Sequence, residues 1–134
     1  MNRLNMGVGF LSVVGGVGYS LFGEWSMLLT LLTVLVVTDY ISGIIAAALS
    51  GTLSSKVGLR GIAKKILIFA FVAIAYLLDG IMGNNQIIRD VTIVFYICNE
   101  FISLTENAGN IGLPVPPIVK ETIASLRSKE KSDK

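Results

Sequence analysis

The chain has 134 residues, 53% hydrophobic and only 15% charged, with a net charge of +2. Its mean hydropathy is +0.74, whereas a water-soluble domain carries charge on about a quarter of its residues. The composition therefore reads as one polytopic membrane domain, too short to enclose a wide channel without further copies. With no histidine and a single cysteine, Cys98, it excludes a His- or Cys-based metal site and an intrachain disulfide.

The first residues, Met1-Asn2-Arg3 ahead of an apolar stretch, have the outline of a signal peptide. No small-x-small cleavage site precedes Glu24, so the segment is expected to be retained. Residues 7–23 are apolar but rich in glycine, at the lower length limit for a spanning helix. They read as a first span with glycine faces, or as a looser interfacial segment.

Residues 27–49 are long enough to span, and Asp39 lies near the middle of them. A carboxylate at the centre of a membrane helix costs roughly 2.5–3.5 kcal/mol. Central Leu, Ile and Val residues return about 0.3–0.6 kcal/mol each, so the segment still inserts. An acid retained there points to a polar interior, a partner or a pore. Asp39 heads a ladder at helical spacing, Asp39, Gly43, Ala47 and Gly51, with Ser42, Ala46 and Ser50 beside it. Such a stripe of small residues lets membrane helices approach closely. It fits packing inside one protomer, or an oligomer or pore face; the spacing leaves both open.

Residues 50–65 carry Lys56, Arg60, Lys64 and Lys65 without an acid, and read as a basic cytoplasmic loop by the bias of Lys and Arg. Residues 61–78 form the next span. Lys64 and Lys65 at its start are expected to reach the lipid headgroups. A turn around Gly80, Gly83, Asn84 and Asn85 follows and should face outward. Residues 91–107 form a further and more polar span, in which Tyr96, Glu100, Ser103 and Asn107 share a face and Asn99 and Glu106 adjoin it. Glu100 either pairs with Lys64 or Lys65, or joins Asp39 in lining water in an assembled state.

Gly109, Gly112, Pro114, Pro116 and Pro117 end that helix. Residues 117–127 then read as a short amphipathic interfacial helix with Val119, Ile123 and Leu126 on one face. Lys120 and Arg127 lie off that face as headgroup contacts. Residues 128–134 read as a charged, disordered tail, cytoplasmic like the basic loop. The fold expected is an all-α integral membrane protein with three to four spans, a C-terminal amphipathic helix and a charged tail.

No catalytic constellation emerges. Residues 51–56, Gly-Thr-Leu-Ser-Ser-Lys, lack P-loop spacing, and no serine or cysteine has a nucleophile-elbow context. The basic residues flank membrane spans, which argues against nucleic acid.

Several blocks together resemble one bacteriophage holin family that also contains clostridial toxin-secretion holins. They are Asp39-Tyr40-Ile41-Ser42-Gly43, Leu53-Ser54-Ser55, Gly61 with Lys65, Asn99-Glu100-Phe101-Ile102-Ser103 with Glu106-Asn107, and Gly112-Leu113-Pro114-Val115-Pro116. The resemblance implies a multi-pass protein of the bacterial cytoplasmic membrane that assembles with copies of itself into lesions. These release or activate an endolysin and time host lysis, or in some relatives support toxin export. It implies no enzyme activity, no cofactor and no small-molecule substrate. The residues alone also fit a small proton-coupled exporter or an accessory membrane subunit without a pore.

Overall fold

A computed structural model describes residues 2–133. Among them the chain is helical throughout, with α1 Arg3–Phe22, α2 Met27–Ser50, α3 Ser55–Met82, α4 Ile87–Ile111 and α5 Pro117–Ser132. The caps explain the boundaries. Ser26 and Ser54 accept hydrogen bonds from the backbone N–H of Leu29 (3.3 Å) and Val57 (3.2 Å), starting α2 and α3. Gly51, Gly83 and Gly112 end α2, α3 and α4 at φ of 73°, 72° and 94°, where a side chain would be strained. Pro117 occupies the first turn of α5, where its missing N–H costs nothing.

The Ser54 cap changes the expected basic loop. Residues 55–65 are the first turns of α3, and the link from α2 is only residues 51–54. The tail changes as well, since α5 continues to Ser132 instead of ending near 127. Nothing in residues 128–132 breaks a helix, and Lys129 and Lys131 in its last turn suit the negative end of the helix dipole.

α4 is the central helix, packed along both α2 and α3, which touch each other only sparsely. It runs parallel to α2: Arg89 near its start reaches Glu24 just ahead of α2, and Asn107 near its end reaches Asp39. The core sits where the three meet, with Leu29, Leu32 and Val36 of α2, Ile68 and Val72 of α3, and Ile93 and Ile97 of α4. α5 folds back on α4, with Ile123 packed against this core. The amphipathic helix expected at the interface is thus docked on the bundle, because its apolar face finds a partner there.

Three helices, α1, α2 and α3, are long and apolar enough to cross a membrane. α4, the segment expected as the last span, has 25 residues but carries Arg89, Asp90, Glu100 and Glu106, and falls short on apolarity. Arg89 and Glu100 are nevertheless buried against the other helices. α1 buries no residue, and a Cβ built on Gly7, Gly9, Gly15, Gly16 or Gly18 would meet nothing within 4 Å. It is held at its end, by an edge-on contact of Phe22 with Phe69 and by Gly23, whose Cβ would lie 2.6 Å from the Tyr76 ring. The exposed faces of α2 and α3 are apolar, among them Val34, Val37 and Ile41 on α2 and Ile66, Phe71 and Ile74 on α3. Large apolar surface on every spanning helix is the outside of a membrane protein.

Candidate functional site

The buried faces of α2, α3 and α4 converge on one polar cluster. Helical periodicity sets Asp39 on the face of α2 that looks at α4, and Glu100 and Asn107 on the face of α4 that looks back. Lys65 of α3 reaches between them, its ammonium bonded to the carboxylates of both Asp39 and Glu100. Asn107 donates through its Nδ2 to Asp39 Oδ1 at 2.9 Å, to the Asp39 carbonyl at 3.1 Å and to Ser42 Oγ at 3.0 Å. Asp39 is 5% exposed and Glu100 6%. Two carboxylates thus share one ammonium, with an amide completing the shell.

Within the single chain both acids are paired. Asp39 meets a partner in its own chain, and Glu100 pairs with Lys65. Lys65 is therefore withdrawn from the headgroups expected for it, while Lys64, one residue earlier, points elsewhere and is exposed. The small stripe makes the approach of α2 to α4 geometrically feasible: a Cβ on Gly43 would lie 3.4 Å from Asn107 Nδ2. Ser103 joins Asp39, Gly43 and Asn107 in the wall of a cleft of about 220 Å³. Ala46, Ala47 and Ser50 continue from Gly43 along an adjoining groove toward the end of α2. Two expected members stand apart, since Gly51 is the exposed cap of α2 and Asn99 is exposed on α4. Lys56, Arg60, Lys120 and Arg127 are exposed.

Among the described residues, no buried side-chain nitrogen or oxygen lacks a hydrogen-bond partner. This matters because an unpaired polar group in hydrocarbon costs several kcal/mol. The folded protomer hides two acids and a lysine at no such cost.

A second charged knot, at the opposite end of the bundle, went unread in the sequence except as a clue to topology. Asp79 at the end of α3 is 1% exposed. It accepts from the backbone N–H of Ile88 (2.9 Å) and Arg89 (2.8 Å), capping α4 across the turn. Arg89, 2% exposed, donates to the carbonyls of Phe22 (2.8 Å) and Glu24 (3.0 Å) and to Asp90. One guanidinium thereby fixes the α1–α2 link to the start of α4. The signal was an acid ending one helix shortly before a basic residue opening the next.

Comparison with known proteins adds the last observation. The model of the bacteriophage holin family matches residues 16–128. A protein of Listeria innocua is 44% identical over 132 residues, covering 95% of this chain and 94% of that protein. One of Halalkalibacterium halodurans is 45% identical over 115 residues, 82% and 85% of the two chains. A protein of Bacillus phage phi105 named "Probable holin" is 36% identical over 108 residues, 81% of this chain and 79% of its own. No solved structure matches.

Proposed function

The chain belongs to the bacteriophage holin family, and on that premise we propose that it is itself a holin of the bacterial cytoplasmic membrane. In this reading copies gather in the membrane, oligomerise into lesions and permeabilise it at a set time. The lesions release or activate a phage endolysin, or let a large protein out. The family points to a membrane protein that catalyses nothing.

The observation that carries the reading is the polar cluster whose partners all lie within one chain. A holin needs two states, one harmless to the membrane and one that holds water. In the closed protomer α4 crosses beside α2 with its acids turned inward, so lipid meets apolar side chains. In the lesion the same faces, with Asp39, Ser42, Glu100, Ser103 and Asn107, turn to water between protomers. Leaving the closed state means parting Lys65 from two carboxylates, and that barrier delays assembly. The basic start of α3 and the link from α4 to α5 lie at the cytoplasmic end in this arrangement, while α5 folds back along α4 until Lys129 and Asp133 stand beside Asp90.

The test is induction of the protein in a bacterium with and without a co-expressed endolysin. The reading expects an abrupt loss of membrane potential at a reproducible time, with clearing of the culture only when the endolysin is present. A steady potential with the protein inserted at high level contradicts it, and flux or resistance without depolarisation selects an exporter instead.

A further inference from the structure

α5 follows a course that its composition makes costly in lipid. From the link at residues 112–116 it runs back along α4 until Lys129, Glu130 and Asp133 share a groove with Asp90, in the first turn of α4. Its 16 residues rise about 24 Å, most of the roughly 30 Å of a hydrocarbon core. Along that length Lys120, Glu121, Arg127, Lys129 and Lys131 are exposed. Charged side chains at membrane depth are expensive unless they meet water or a paired charge. Among the described residues none of these five is ion-paired, and no ion pair ties α5 to the bundle.

The seat on α4 is also shallow. α5 buries no residue, and beside its second half a groove of about 290 Å³ stays open, with Val91, Val94 and Leu126 as its apolar wall. The α4 side of this seat, Val91 and Val94, suits lipid when bare. Glu100 stands six positions past Val94, about 120° around α4. α5 can therefore sit down or leave while the cluster of Asp39, Lys65 and Glu100 stays closed.

We propose that α5 seated on α4 is a water-facing wall of the assembled lesion, and that in a protomer alone in lipid the helix leaves this seat for the cytoplasmic side. Water at hydrocarbon depth is found inside a lesion and nowhere else in the bilayer. The bundle already has two kinds of surface. The exposed faces of α1, α2 and α3 are apolar, whereas α4 exposes Asn99 and Glu106 and α5 exposes its charges. The inference rests on the holin reading and adds to it the element that meets water.

The test uses the full chain with Val94→Cys and Leu126→Cys, two walls of one groove, in a Cys98→Ser background. A short, membrane-permeable bismaleimide is added to cells before and after the potential collapses, and the link within one chain is read as a gel shift. An unfavoured state is populated at about 0.1–10%, so the linked fraction should stay below about 10% beforehand and rise about tenfold afterwards. In vesicles, a dye on Ala124→Cys, exposed on α5, should in the linked form be quenched by iodide and not by spin-labelled lipid. Ile123→Asn, which loosens the contact of α5 with the core, should lower linking and delay depolarisation at matched membrane levels. Full linking before depolarisation overturns the proposal. So does depolarisation on time without linking, in Ile123→Asn or in its parent, which leaves the holin reading standing. A linked form shielded from iodide overturns it too, since the outer face would then be covered by protein or lipid. A potential that never falls overturns both readings.

Discussion

Replacing Lys65 with methionine removes the cation from the polar cluster and leaves Asp39 and Glu100 facing each other. Removing one member of a buried ion pair costs about 3–5 kcal/mol, because the remaining charge keeps its desolvation penalty. The Lys65 side chain is 18% exposed, so the lower end of that range applies. About 3 kcal/mol moves the ratio of closed to open protomer by about two powers of ten. Lysis should then come much earlier than in wild type at matched membrane levels, with membrane potential followed by a voltage-sensitive dye and clearing by turbidity. A companion variant separates this effect from misfolding. Lys65→Met with Asp39→Asn and Glu100→Gln removes every charge of the cluster, and an uncharged replacement of a buried ion cluster is often neutral or stabilising. Its lysis time should return to that of wild type or later. Unchanged or delayed lysis in Lys65→Met, or lysis equally early in the triple variant, refutes the reasoning.

Gly43→Val places branched carbons against Asn107 and should push α2 off α4, at about 1–3 kcal/mol; the thermal midpoint in detergent should fall and lysis come earlier. Arg89→Lys keeps the charge but lacks the fork that reaches Phe22, Glu24 and Asp90 together. It should lose about 1 kcal/mol from the lost hydrogen bonds to these part-buried carbonyls, seen as proteolysis at the α1–α2 link, and intact resistance there would refute the assignment. Alanine at Gly15, Gly16 and Gly18 touches nothing within the protomer and improves helix propensity by up to about 1 kcal/mol each. Stability should hold or rise, so an altered lysis time with full stability would report packing of α1 between protomers.

The spans of α2 and α3 were legible because hydropathy and length act locally, before any packing. The start of α3 was not, since four basic residues within 56–65 resemble a solvated loop, and only the Ser54 cap reveals the helix reaching back through them. Asp39 was conspicuous by its burial cost, and its spacing to Gly43 named the face that meets α4. The identity of its partner required three helices to be placed together, since Lys64 and Lys65 are indistinguishable by composition and a rotation of about 100° about the α3 axis separates their roles. Asp79 and Arg89 looked like ordinary boundary charges because most of their partners are backbone groups, N–H for Asp79 and carbonyls for Arg89, which leave no trace in side-chain chemistry. The return of α5 onto α4 depends on Ile123 finding the core, a tertiary event that its amphipathic pattern leaves unspecified.

The central claim is that one set of polar side chains is sealed inside the protomer before lysis and faces water after it. Ser42, which accepts a hydrogen bond from Asn107 at 3.0 Å, sits within that seal. Ser42→Cys in a Cys98→Ser background, treated with a membrane-impermeant thiol reagent before and after depolarisation, reads the change directly. Val37→Cys, on the exposed apolar face of α2, serves as the lipid-facing reference. The account predicts that Cys at 42 is protected until the potential collapses and labelled after it, with Cys at 37 unlabelled throughout. Labelling at 42 before depolarisation, or continued protection after lysis has begun, contradicts it.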